Sequence, residues 1–192
     1  MPPLTKLSSQ LPKRIVVTGC PGTGKTTLAK NLATKLRVPY ISVNDFSISE
    51  RSFYRESESE EKTVNIKRLS EKLNAHLKNL PGYVVEGHLA CEFGIRADVV
   101  IVLRASPEIL TRRYGKRGYS QSKASENLLA EFLDYCLVLA EKNYPKTRII
   151  QIDATKPKSV DVVIRKLSNE SYDEVNWIGL LSSKRFSHLL SM

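Results

Sequence analysis

Apolar residues recur along this chain in two alternating rhythms. Short unbroken runs, Ile15-Val16-Val17, Tyr83-Val84-Val85 and the stretch from Ala97 to Leu103, have the length and β-branched content of buried strands. Arg148-Ile149-Ile150-Gln151-Ile152 predicts another, and Pro39-Tyr40-Ile41-Ser42-Val43 a short one that ends at Asn44-Asp45. Between these runs the apolar spacing is helical. Leu28, Ala29, Leu32, Ala33 and Leu36 line one face of a helix over 26–36, and Ile66, Leu69, Leu73, Leu77 and Leu80 one over 64–80. Helices are also predicted over 107–114, capped by Ser106, over 125–141 and over 160–167. Strands alternating with helices predict an α/β fold of three layers built on a parallel sheet.

Three stretches break the rhythm. Residues 1–13 hold three prolines and read as a loose arm. Residues 46–61, rich in serine and charge and poor in core residues, read as a mobile insert over the active face. Residues 168–192 carry the only tryptophan, Trp177, with Ile178, Leu181, Phe186 and Leu190 at rough helical spacing. Such a face either folds back on the domain or docks on a partner.

Composition narrows the setting. With 30 Lys and Arg against 20 Asp and Glu, the net charge of +10 favours polyanionic partners, nucleotide phosphates alone or RNA as well. Cys20, Cys91 and Cys136 are odd in number and far apart, without metal-ligand spacing, which argues against a disulfide framework or a zinc site. No run approaches the roughly 20 apolar residues of a membrane span, and the first residues lack a signal peptide's apolar core. A soluble protein of a reducing interior, without a membrane partner, is expected.

The chemistry concentrates in Gly19-Cys20-Pro21-Gly22-Thr23-Gly24-Lys25-Thr26, a G-x-x-x-x-G-K-[ST] phosphate-binding loop set between a predicted strand and a predicted helix. Loop amides and the positive helix end converge there, so a polyanion can bind without a cage of side chains. Lys25 can reach β- and γ-phosphates, and the Thr26 hydroxyl can hold Mg²⁺. A nucleoside triphosphate with Mg²⁺ is therefore the expected pair. Glu86 ends a strand, where it can hold a magnesium-bound water; Asp45 ends another, where it can orient an acceptor or serve only as a turn or cap residue. His88 either contacts the reacting groups or is a satisfied polar core group. Arg113 and Arg117, four apart, either close on phosphates or form a solvated pair.

Several motifs together are more particular than the loop. Thr18-Gly19-x-Pro21-Gly22-x-Gly24-Lys25-Thr26-Thr27, Tyr40-Ile41-Ser42-Val43-Asn44-Asp45 and Glu86-Gly87-His88 are followed by Val102-Leu103-Arg104. Then come Leu110-x-x-Arg113-x-x-x-Arg117-Gly118-Tyr119 and Lys123 with Glu126-Asn127 and Glu131. Over about residues 14–167 the chain resembles the nucleoside monophosphate kinases, and among them the adenylate kinase isoenzyme six family of ribosome-assembly kinase/ATPases. The resemblance implies a P-loop NTPase fold with a five-stranded parallel sheet, a nucleoside monophosphate insert at about 44–67 and a lid at about 115–125. It implies transfer from ATP to AMP, giving two ADP, alongside ATP hydrolysis in which His88 takes part. Gly22, Gly24, Lys25, Thr26, Thr27 and Arg117 would bind nucleotide, and a loop at 153–157, with Lys156 at its flank, would wrap the adenine. The implied partners are the small-subunit platform ribosomal protein called fourteen in eukaryotes and pre-ribosomal RNA. The implied location is cytoplasmic, with the nucleus added where the cell has one. Two departures stand out: Glu86 is one methylene longer than the aspartate common in eukaryotic members, and His88 lies near the place where adenylate kinases put an AMP-binding arginine.

Overall fold

The computed structural model describes residues 11–50, 53–55, 62–187 and 189. The arm's residues 1–10 lie outside them, as do Arg51 and the side chain of Arg55, two basic residues of the insert that could either meet an acceptor phosphate or stay solvated. Strand β1 (Arg14–Gly19) runs up the centre of a parallel sheet. The chain then crosses through α1 (Lys25–Leu36) to the edge strand β2 (Tyr40–Ser42), and through α2 (Val43–Ser49), the β3 (Phe53–Arg55) and β4 (Lys62–Val64) hairpin and α3 (Ile66–Leu77) back to β5 (Tyr83–Glu86). It finishes on the other side of β1 with β6 (Val99–Arg104), helices α4 (Pro107–Lys116), α5 (Gln121–Phe132) and α6 (Tyr135–Asn143), β7 (Arg148–Asp153) and α7 (Val160–Ser168). The order β2-β5-β1-β6-β7 puts a change of winding direction beside β1, the place where open α/β sheets bind ligands at their carboxyl ends.

The strands are apolar on both faces because helices cover both. Val16, Val85, Val100 and Val102 pack toward α3 and α6; Ile15, Val17, Val84, Val99, Ile101 and Leu103 pack toward α1 and α7. A third cluster joins Leu110, Tyr114, Leu128 and Phe132 of α4 and α5 to Leu181, Phe186 and Leu189. The tail therefore folds back on the domain, through the short helix α8 (Ile178–Leu181) and the segment after it. Among the described residues no helix is long and apolar enough to cross a membrane.

Local chemistry moves several boundaries from their expected places. β2 stops at Ser42 because the Ser42 hydroxyl accepts from the Asp45 amide at 3.2 Å and starts α2, so the strand expected to end at Asn44-Asp45 gives way at Val43 to the first turn of a helix. The insert has more regular structure than its serine-rich sequence predicts, holding α2 and the β3–β4 ladder. Asn65 caps α3 and leaves Val64 in a strand. The long helix expected over 125–141 is broken: α5 begins earlier, capped by Ser120, and Asp134 adopts a left-handed φ of 55° between α5 and α6. The cause is Arg104, fully buried at the end of β6. Its guanidinium takes the Glu131 carbonyl at 3.0 Å and carboxylate at 2.7 Å and also bonds Asp134, so the chain turns around it. Only residues 117–120 lie outside helices between α4 and α5, which makes the expected lid a tight turn.

Candidate active site

The loop after β1 is shaped by its glycines. A Cβ on Gly19, at φ 139°, would stand 2.2 Å from the Leu103 carbonyl oxygen, and Gly24 begins α1 at φ 99°. Lys25 folds back over the loop, donating from Nζ to the Cys20 carbonyl at 3.0 Å. Burial lowers its pKa from the usual lysine value. Thr23 bonds the same carbonyl at 2.9 Å, so the loop is pre-formed around the lysine.

Across from the loop, Glu86 at the end of β5 is 6% exposed. Its Oε1 accepts from the Thr26 hydroxyl at 3.1 Å and from the Tyr40 phenol at 3.0 Å. Burial and the nearby carboxylate push the Tyr40 phenol up to about 12. Among the described residues no Lys, Arg or His nitrogen pairs with Glu86. A shielded carboxylate and a hydroxyl beside a phosphate-binding loop are a hard oxygen set that fits Mg²⁺, which draws its other ligands from phosphates and water. Asp45 is exposed in the first turn of α2, immediately beyond the Tyr40 strand.

His88 opens a 3₁₀ turn (His88–Cys91) directly after β5. Its Nδ1 lies 3.2 Å from the Gly19 carbonyl, which can only accept, so Nδ1 carries the proton and Nε2 keeps a free lone pair. Burial and the charge of Lys25 lower its pKa below the ordinary histidine value, against the Gly19 bond. A neutral imidazole stacked on Tyr135, with ring centroids 5.9 Å apart, results.

On the other side of the loop a cavity of about 310 Å³ opens toward Thr27, Leu103, Ile152 and Ala154, with Gly22, Gly24, Arg113 and Arg117 on its wall. Arg113 donates to the Gly22 carbonyl at 2.8 Å and to that of Ala154 at 3.4 Å, while Arg117 is exposed. Tyr114, between them, bonds the Pro21 carbonyl at 2.7 Å and ties α4 to the loop.

A sequence family described as an AAA domain matches residues 15–134. A "Putative adenylate kinase" of Thermococcus gammatolerans is 39% identical over 150 residues, covering 78% of this chain and 80% of the relative. One of the same description from Methanocaldococcus jannaschii is 30% identical over 183 residues, covering 92% and 97%. This chain belongs to the P-loop nucleoside monophosphate kinases. The fold of the kinase is also similar to a shikimate kinase from Bacteroides thetaiotaomicron, with a TM-score of 0.50 and 21% identity over 83% of this chain and 98% of that one.

The kinase thus brings Lys25, Thr26, Glu86, His88 and Asp45 to the carboxyl ends of β1, β5 and β2, and Thr27, Arg113 and Arg117 to the adjoining cavity. Lys156 is not among the cavity residues. An Asx turn at Asp153, whose carboxylate accepts from the Thr155 amide at 2.8 Å, leaves Lys156 exposed, and Pro157 and Lys158 line the wall instead.

Some features of the kinase had little sequence signal. Tyr40 reads as one more strand aromatic until its hydroxyl is seen on Glu86. The three cysteines, distant in sequence, converge under the loop: Cys91 donates to the His88 carbonyl at 3.1 Å and Cys136 Sγ lies 3.5 Å from His88 Nδ1. Hydrogen bonds among the thiols, together with burial, push Cys91 and Cys136 up and keep them protonated, which suits packing rather than nucleophilic work. Arg104, ending a wholly apolar run, and Glu131 were each visible in the sequence, but nothing local paired them.

Proposed function

We propose that the kinase transfers the γ-phosphoryl group of Mg²⁺-ATP to AMP, giving two ADP, and hydrolyses ATP slowly when no acceptor is bound. The observation that carries this is the two-sided arrangement about Glu86. The phosphate loop with Lys25 and Thr26 lies on one side, and Asp45, with the α2–hairpin–α3 insert, leads away on the other. The names of the relatives support AMP as the acceptor.

Phosphoryl transfer needs positioning and charge neutralisation more than covalent work by the protein. Thr26 and Glu86 would hold Mg²⁺, which would supply positive charge to offset that of the nucleotide phosphates. Lys25 exchanges the Cys20 carbonyl for phosphate oxygens, a short move because its ammonium already lies on the loop. Arg113 is held on the Gly22 carbonyl and offers its remaining N–H groups to the cavity. Arg117, solvent-exposed at the same wall, closes on the transferring group. The apolar floor of Leu103, Ile152 and Ala154 suits a flat base. Asp45 orients the acceptor, and His88, neutral with Nε2 unprotonated, is equipped to orient a water.

The test is an acceptor panel with ATP. AMP should far outpace CMP, UMP and shikimate, and Lys25→Ala should be inactive with all of them; a faster non-nucleotide acceptor would overturn the assignment. The resemblance to ribosome-assembly kinase/ATPases supports a second role, with which the charge of +10 is compatible, in maturing the small ribosomal subunit with the platform ribosomal protein and pre-ribosomal RNA as partners, in the cytoplasm and in any nucleus. Capture of that ribosomal protein by the purified kinase, and a change of ATP turnover on binding it, test this role directly.

A further inference from the structure

We infer that Tyr40 is a positioning residue for the magnesium carboxylate, an inference that rests on reading the site as one for Mg²⁺-ATP. Glu86 has one more rotatable bond than an aspartate in its place, so a carboxylate at the end of β5 must be held if it is to present one geometry to a cation. The structure supplies two holders from different elements. The Thr26 hydroxyl reaches Glu86 Oε1 from α1, and the Tyr40 phenol reaches the same oxygen from β2. Parallel pairing aligns Tyr40 with Val84 and Ser42 with Glu86, so the phenol spans diagonally along the edge of the sheet to the carboxylate two residues farther on. The ring itself is fixed from α1, where the Lys30 ammonium lies 5.4 Å from its centroid.

The division of the two oxygens is what gives the contact a purpose. Oε1 takes both hydroxyl protons. Oε2 accepts nothing from the described residues, so among them it is the oxygen left for a cation. A Thr26 hydroxyl that gives its proton to Oε1 keeps its lone pairs for a cation, and a Glu86 pinned at Oε1 turns Oε2 the same way. Partners that orient a metal-holding carboxylate typically change metal affinity about 10–100-fold when removed. Tyr40 is such a partner.

Tyr40→Phe removes only the phenol oxygen and keeps the ring over which Lys30 sits. ATP affinity of the full chain, measured by calorimetry with Mg²⁺ and again with EDTA, gives the ratio that magnesium contributes. Tyr40→Phe should lower that ratio about 10-fold while affinity in EDTA stays unchanged. In a Glu86→Asp background, where the shortened carboxylate no longer meets the phenol, the same substitution should change nothing. An unaltered ratio in Tyr40→Phe, or an equal loss of affinity with and without Mg²⁺, overturns the role of Tyr40 while leaving the site intact. Failure of the unaltered chain to bind ATP in a magnesium-dependent way overturns the site reading, and Tyr40's role with it.

Discussion

Replacing Glu131 by alanine strikes a contact that joins three parts of the molecule. One carboxylate oxygen, on a residue 1% exposed, accepts from Arg104 Nε at 2.7 Å, from the Ala105 amide at 3.2 Å and from the Trp177 indole at 3.1 Å. Arg104 is equally buried, and its other carboxylate partner, Asp134, has a side chain 40% exposed to water. Removing Glu131 leaves a buried guanidinium half neutralised and two donors unpaired, a change that costs about 3–5 kcal/mol in comparable buried pairs. For a chain of this size each kcal/mol lowers Tm by about 2–4 °C, so Glu131→Ala should melt roughly 6–20 °C below the unaltered protein. Thermal denaturation followed by far-UV circular dichroism reads this, and Trp177 emission should shift to the red as the tail loosens. Glu131→Gln, which keeps an acceptor without the charge, should fall between the two. The double change Arg104→Met with Glu131→Leu should recover much of the loss, because it removes both buried charges together. A Tm drop under about 3 °C for Glu131→Ala would refute the argument, since it would mean that Arg104 is neutralised some other way.

Other consequences are shorter to state. Gly19→Ala puts a methyl 2.2 Å from the Leu103 carbonyl at a left-handed φ, so it should destabilise the chain by about 3 kcal/mol or more, readable as a lower urea midpoint with an unchanged slope. Because the folded state lowers the His88 pKa, the unfolded chain binds more protons near pH 6; stability should therefore fall as pH drops below the ordinary value of about 6.5 and be level above it. His88→Gln should flatten that limb in pH-dependent urea melts, and an unchanged slope would mean that another group titrates. Tyr114→Phe leaves the Pro21 carbonyl without its 2.7 Å partner and should raise the KM for ATP more than that for AMP in steady-state kinetics, since α4 walls only the ATP side.

Which parts of this kinase were legible in its sequence depends on the range of the interaction that decides them. The sheet was legible because apolar runs such as Val99–Leu103 must be buried on both faces wherever they lie, and the phosphate loop because its function is carried by backbone over eight consecutive residues. Boundaries failed where a single polar side chain decides the local structure, as when the Ser42 hydroxyl starts a helix at Val43 or a distant arginine breaks one at Asp134. Lys156 stands exposed after a turn at Asp153, in a loop where side-chain identity carries little signal. The least legible part was the second ring of the site, because nothing local links Tyr40 to Glu86, 46 positions apart, or Trp177 to Glu131. These long-range contacts all attach to residues the sequence had already marked: Glu86, Glu131 and the loop. A charged residue placed at the end of a buried apolar strand must acquire partners from elsewhere in the chain, since burying it alone costs several kcal/mol. Glu86 and Arg104 both stand at such strand ends, and the fold has answered each differently. Arg104 is fully neutralised inside the protein, whereas Glu86 is held by hydroxyls that bring no positive charge. A carboxylate oriented by neutral donors and, among the described residues, left without a cation of its own is the arrangement expected of a group that meets its counter-charge only when nucleotide and metal arrive.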